Sequence, residues 1–127
     1  MKRVTVSAVS PFAEAAGYSR VVRIGPHAWV AGTAPIMPDD ADPPADAYGQ
    51  TRRCLEIALA ALAETGAAAE HVVRTRIMLT READFGEIAR AHGEVFGHLK
   101  PVNTSYVVEL LDPRWLLEIE LEAFVPA

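Results

Sequence analysis

The chain has 127 residues, of which 50% are apolar and 23% are charged, a composition typical of one globular domain spanning residues 1–127. Its formal net charge of −5 disfavours nucleic acid and anionic membranes as partners, because both attract basic proteins. The single cysteine, Cys54, excludes an intrachain disulfide, and no Cys/His set has zinc-ligand spacing, so we expect no metal and no cofactor. The absence of an apolar run after Lys2-Arg3, and of any run of membrane length, favours a cytoplasmic location.

The first half of the chain predicts a strand, a hairpin, a loop and a helix. Residues 4–9 and 21–33 are rich in β-branched side chains, and a Gly25-Pro26-His27 turn interrupts the second stretch. Residues 35–45 contain four prolines and three aspartates, which indicates a surface loop. Asp46 is a suitable N-cap for an amphipathic helix that ends near Gly66.

The second half predicts a strand, a second helix and two further strands. Alternation over residues 73–79 predicts a strand with Val73, Thr75, Ile77 and Leu79 on its buried side. Thr80 is a candidate N-cap for a helix with an apolar stripe that includes His92. Residues 103–111 are largely apolar in both alternating sets, which predicts a central strand covered on both faces. Residues 117–125 alternate cleanly, with Glu118, Glu120 and Glu122 on one face.

This order predicts an α+β fold with a mixed sheet and two helices packed on one face. We expect the other face to carry Asn103, Ser105 and Val107 together with Glu118 and Glu120. This face is too apolar to be fully exposed to solvent and too charged to be buried in a hydrophobic core. Such a mixture is typical of a subunit interface that contains a polar cleft.

Several short motifs hold their order and spacing along the chain, and together they carry a resemblance to the RidA family, also called YjgF. They are Gly17-Tyr18, Ala31-Gly32, residues 46–55, residues 73–84, Pro101 and Glu118-Ile119-Glu120. The resemblance implies a chorismate-mutase-like subunit in a homotrimer, with three inter-subunit clefts that bind small molecules. It also implies hydrolysis of reactive enamines and imines such as 2-aminoacrylate to keto acids and ammonia.

The resemblance places Tyr18, Gly32 and Glu118 at the cleft, with Glu118 as the catalytic group that positions the hydrolytic water. It also places a carboxylate-binding arginine and a cysteine where this chain has Asn103 and Ser105. Asparagine supplies hydrogen bonds but no charge, so anchoring of an anionic substrate should be weaker.

Each candidate residue also has a structural interpretation. Glu118 is one of three alternating acids on a solvated face, Tyr18 an aromatic cover over the core, and Asn103 and Ser105 polar residues at a strand end. Arg76 either replaces the missing guanidinium or forms an ion pair with the glutamates at an interface. We interpret His92 and Cys54 as packing residues.

Three functions follow from these residues. The first is a deaminase-type hydrolase of enamines, imines or related metabolites that diverges at the substrate arginine. The second is a non-catalytic trimeric metabolite-binding protein. The third, an endoribonuclease or translation inhibitor, is disfavoured by the acidic charge.

Overall fold

The computed structural model describes residues 1–127 as one six-stranded mixed sheet with helices on one face. The strands are β1 (Arg3–Ser7), β2 (Ser19–Ile24), β3 (His27–Thr33), β4 (Val72–Leu79), β5 (Val102–Val107) and β6 (Leu117–Phe124). The helices are a four-residue α1 (Ala13–Ala16), α2 (Ala47–Ala63) and α3 (Phe85–Phe96). None of the helices is long and apolar enough to cross a membrane.

The sheet order is β1-β2-β3-β6-β4-β5, so the last strand of the chain lies inside the sheet. β6 pairs antiparallel with β3 on one side and with β4 on the other, whereas β4 and β5 are parallel and are joined through α3. Parallel neighbours need such a crossover, which explains why a helix separates these two strands in sequence.

The predicted hairpin and the long amphipathic helix are confirmed. β2 and β3 pair antiparallel, and the side chain of Asp46 accepts a hydrogen bond of 2.6 Å from Gly49 N at the start of α2. The buried side of α2 packs on the sheet and on α3. The core lies between these layers, and its fully buried members include Leu55, Leu62, Ile77, Ile88, Phe96, Leu117 and Ile119.

The prediction that the strand after Pro101 is central is wrong, because β5 is an edge strand. Val102, Tyr106 and Val107 are exposed in the single chain. Apolar residues in both alternating sets predict a strand that is buried on both faces. They do not show whether the covering residues belong to the same chain or to another chain.

The prediction that Asn103 and Ser105 share a face with Glu118 is also wrong. Asn103 pairs with Thr75 and Ser105 with Ile77, both of which face the helices. Glu118 pairs with Met78 on the opposite, open face. The face of the sheet on which each β5 side chain lies depends on the register of β5 with β4, the strand between β5 and β6. The sequence of β5 alone does not reveal this register.

Two local predictions fail for identifiable reasons. Thr80 does not cap α3, because a 3₁₀ turn at Glu82–Asp84 intervenes and Asp84 is the residue that precedes the helix. Val73 is exposed rather than buried, since a register shift between Val72 and Arg74 turns it outward.

Candidate functional site

Glu118 reaches the open face through the alternation of β6. Its neighbours Leu117 and Ile119 are fully buried against the helices, so the intervening carboxylate points the other way. Glu118 is half-buried and lines a small cavity of about 60 Å³ at one end of the sheet. The cavity walls include Ser10, Tyr18, Gly32, Leu111 and Trp115.

Gly32 leaves the room that the Glu118 carboxylate occupies. Val30 pairs with Leu121 and Thr33 with Ile119, so Ala31 and Gly32 together oppose the single residue Glu120 in a β-bulge. A Cβ atom on Gly32 would lie 2.7 Å from Glu118 Oε1, closer than two such atoms can approach. The carboxylate therefore sits against bare backbone at this point.

Tyr18 forms a second wall of the cavity. It follows Gly17, whose left-handed φ of 77° ends the short helix α1. The Tyr18 hydroxyl donates a hydrogen bond of 3.0 Å to Ser10 Oγ, and its ring remains partly exposed. The structure thus brings Tyr18, Gly32 and Glu118 together, as the sequence predicts.

Arg20 also lines this cavity, a role that the sequence analysis did not assign to it. Val6 pairs with Val21 and Ser7 with Ser19, so Arg20 is an extra residue in β2 without a partner in β1. The bulge buries Arg20 and Val21 together, whereas plain alternation would place them on opposite sides. The available signal was an arginine directly before the apolar pair Val21-Val22.

The electrostatics of the site are set by burial and by two charged neighbours. Burial raises the pKa of Glu118, the nearby guanidinium of Arg20 lowers it, and the carboxylate of Glu120 raises it, in decreasing order of size. The net pKa of Glu118 is above its ordinary value. A carboxylate of this kind can exchange protons with water or a ligand more readily than a solvated one.

Comparison with known proteins shows which family has this arrangement. A family model described as Endoribonuclease L-PSP matches residues 8–125. An uncharacterised protein of Streptomyces coelicolor is 38% identical over 120 residues, which cover 94% of this chain and 90% of that protein. A RutC family protein of Pyrococcus abyssi is 32% identical over 84% of this chain and 85% of that protein.

The solved structures agree. A Mycobacterium tuberculosis member of the YjgF/YER057c/UK114 family is 40% identical, with a TM-score of 0.88 and coverage of 98% of this chain and all of that one. The chain belongs to the YjgF/RidA family. TdcF of E. coli, solved with bound serine, has the same fold at a TM-score of 0.81 and 24% identity, and the match covers 96% of this chain and 94% of TdcF.

Arg76 is not part of the Glu118 cavity of this YjgF/RidA chain. Its Nη1 donates to Glu120 Oε1 at 2.6 Å across the β4–β6 pair, and Arg74 Nε lies 4.0 Å from Glu122 Oε2 on the same face. Arg76 thus forms an ion pair with a glutamate of its own chain. With its charge matched by Glu120, Arg76 is a poor replacement for a free guanidinium.

Asn103 and Ser105 belong to a separate series of hydrogen-bonded side chains on the helix side of the sheet. Ser105 Oγ donates to Asn103 Oδ1 at 2.9 Å, and Asn103 Nδ2 donates to Thr75 Oγ1 at 2.9 Å. Thr75 Oγ1 in turn forms a hydrogen bond of 2.8 Å with His92 Nε2, which supplies the partner of this half-buried histidine. Since β4 separates β5 from Glu118, one small ligand held by a single chain does not contact both groups.

The remaining reactive side chains are structural. Cys54 is fully buried, and burial raises the pKa of its thiol far above the ordinary value, so it is a packing residue as predicted. No three His, Cys, Asp or Glu side chains are grouped so that they could hold a metal ion. The polar side chains that line the Glu118 cavity are those of Ser10, Tyr18, Arg20 and Glu118.

The two charged neighbours of Glu118 should shift its pKa in opposite directions. We expect NMR titration to place the pKa of Glu118 above its ordinary 4.5. Arg20→Gln should raise it further, and Glu120→Gln should lower it. A raised folded-state pKa contributes stability that is full below pH 4.5 and is lost as the pH rises through the folded-state value. Equal pKa values in all three proteins would contradict this electrostatic description.

Proposed function

We propose that the protein is a homotrimeric hydrolase of small enamines and imines, with Glu118 as the general base. The observation that carries the proposal is the half-buried Glu118 carboxylate, whose pKa is raised, which lies against the bare backbone of Gly32 and which lines the same cavity as Tyr18. Membership of the YjgF/RidA family supports the same conclusion. The bound serine of TdcF shows that a protein of this fold holds a small amino acid.

In the proposed reaction, Glu118 takes a proton from a water molecule whose oxygen attacks the carbon of the protonated imine. The C–O bond forms as the C=N π electrons move to nitrogen, which gives a neutral carbinolamine. The proton held by Glu118 then passes to the carbinolamine nitrogen. The C–N bond breaks and ammonia leaves as the carbonyl forms, and the hydroxyl proton returns to Glu118, which releases it to the ammonia or to water. An enamine enters the same route after protonation at its β carbon.

The proposed trimer forms through the open face of the sheet. This face exposes an aromatic cluster in which His27 stacks on Trp29 at 5.7 Å and meets Phe124 edge-on at 5.2 Å. Trp29 and Phe124 are each 42% exposed, and the nearby edge strand exposes Val102 and Tyr106. Apolar surface of this extent on one face of a small chain is typical of an interface.

A metabolite-binding protein without catalysis is the second candidate. It is favoured by the neutral Asn103 at the position where the family places an arginine, and by the pairing of Arg76 with Glu120. The endoribonuclease described by the family model is disfavoured by the net charge of −5, since RNA binding rests on basic surface.

Glu118→Gln distinguishes the hydrolase from the binding protein. We expect it to lower keto-acid and ammonia release from enzymatically generated 2-aminoacrylate by about 10²- to 10⁴-fold, because the amide takes up no proton from water. The matched control is Glu122→Gln, which changes a glutamate on the same face of β6 that lies near Arg74, away from the cavity. Equal turnover in Glu118→Gln and the unaltered protein would refute the assigned base. No product from either protein would favour the binding protein.

Light scattering tests the assembly. We expect a mass about three times that of the 13.7 kDa chain, because the exposed aromatic cluster is stabilised by burial. Trp29→Glu should shift the population to monomers by placing a charge in the interface. A stable monomer of the unaltered protein at micromolar concentration would contradict both the trimer and the inter-subunit cleft.

A further inference from the structure

A second, larger cavity lies on the helix side, away from Glu118. It measures about 470 Å³, within the range of small-molecule pockets, and lies between α2, β1 and the loop after β3. It exists because α2 packs across β6, β3 and β2, while β1 lies beyond β2 at the sheet edge. The small side chains of Ala60 and Ala61 on α2 leave the space open, and Val6, Ile36, Met37 and Ile57 line it with apolar groups.

Directional contacts hold the walls of this cavity in place. Arg53 Nε on α2 donates a hydrogen bond of 2.8 Å to the carbonyl oxygen of Ile36 in the loop. Further along the loop, Arg114 Nη2 lies 2.8 Å from Asp40 Oδ1 and Arg114 Nη1 lies 3.3 Å from Asp42 Oδ1. A cavity whose loop wall is fixed from two sides is already formed before a ligand arrives.

Arg20 places a guanidinium that forms no ion pair in the wall of this cavity. The residue is only 4% exposed, and its Nη1 donates to Gly32 O at 2.9 Å and Thr33 Oγ1 at 3.2 Å. Its Nε and Nη2 donate to no protein acceptor, and no carboxylate oxygen lies within 4.0 Å of it. Burial lowers the pKa of Arg20, and the more distant carboxylate of Glu118 offsets only part of that effect. An anion that accepts directly from Nε and Nη2 would stabilise the charged guanidinium further.

The other charged groups in the cavity do not compete for the same anion. The second guanidinium, that of Arg53, is already matched by Glu56 Oε1 at 2.6 Å. Glu64 lies just after the last turn of α2, about 15 Å along the helix axis from Cys54. Arg20 interacts electrostatically with Cys54, so it lies near the Cys54 turn of the helix and away from Glu64. The cavity is thus cationic at the Arg20 end, apolar in the middle and anionic at the Glu64 end. This arrangement favours a ligand with one carboxylate near Arg20 and disfavours a ligand with a second carboxylate near Glu64.

We propose that this cavity binds a small amphipathic monocarboxylate, with its carboxylate on Arg20 and its aliphatic or aromatic body against Ile57, Ala60 and Met37. The site is distinct from the proposed catalytic cavity, since Glu118 and Tyr18 are not among its lining residues. It lies on the helix side of the sheet, so a trimer formed through the open face leaves it accessible. The proposal therefore does not depend on the proposed enzymatic function.

Calorimetric titration with 3-phenylpropanoate tests the proposal on the full chain. The matched ligands are 3-phenylpropan-1-ol, which lacks the charge, and acetate, which lacks the apolar body. We expect 3-phenylpropanoate to bind more tightly than either. Arg20→Gln should weaken 3-phenylpropanoate about ten- to a hundredfold and leave the alcohol unchanged, because it removes one charge-assisted contact.

Ala60→Phe supplies a test that does not disturb a buried residue. Ala60 is exposed on α2 and lines the cavity, so the larger side chain should fill it and abolish binding of both aromatic ligands. Ala63→Phe is the control, because Ala63 is exposed on the same helix and lies outside the cavity.

Three results would overturn the proposal. They are equal affinity for the carboxylate and the alcohol, binding that survives Ala60→Phe, and an absence of binding at millimolar concentration. If 3-phenylpropanoate still binds to Ala60→Phe but no longer binds to Glu118→Gln, the anion occupies the proposed catalytic cavity instead. An unaltered protein that hydrolyses no enamine but binds 3-phenylpropanoate normally would refute the proposed function and leave this site intact.

Discussion

The position of β6 between β3 and β4 is the constraint on which the rest of the molecule depends. Its alternation sends Leu117, Ile119 and Leu121 into the core under the helices. The same alternation sends Glu118, Glu120 and Glu122 to the open face. Because β6 has a neighbour on each side, its register fixes the core and the charged face together, and a slip of one residue would exchange them.

The three glutamates of β6 differ because their neighbours differ. Glu120 is matched by Arg76 on β4, and Glu122 lies near Arg74. Glu118 pairs across the sheet with Met78 and meets the bulge at Ala31 and Gly32, so it is left without an ion pair. The same residue type thus forms a surface ion pair at two positions and, at the third, a half-buried carboxylate with a raised pKa.

Two bulges at the same end of the sheet create the special environment. The bulge in β3 brings Gly32 close to Glu118, and the bulge in β2 buries Arg20. Arg20 then lines both the small cavity that contains Glu118 and the large cavity beneath α2. A regular sheet would have left Arg20 in solvent and placed no guanidinium between the cavities.

The parts of this arrangement that depend on local pattern could be predicted from the sequence. The hairpin, both long helices and the alternation of β6 follow from periodicity and turn residues, and family resemblance identified Tyr18, Gly32 and Glu118. The bulge that buries Arg20 was missed because it breaks the alternation on which strand prediction rests. The sequence analysis placed Asn103 on the wrong face of the sheet because that face is fixed by pairing with Thr75, which lies on the neighbouring strand but far away in sequence.

A crystal structure of the protein grown with pyruvate, the keto acid released from 2-aminoacrylate, tests the central claim most directly. The account predicts pyruvate in the cavity of Tyr18 and Gly32, with its carbonyl group within hydrogen-bonding distance of Glu118 and a second subunit closing the cleft. Pyruvate bound away from Glu118, or a Glu118 carboxylate turned into an ion pair with a neighbouring subunit, would contradict it.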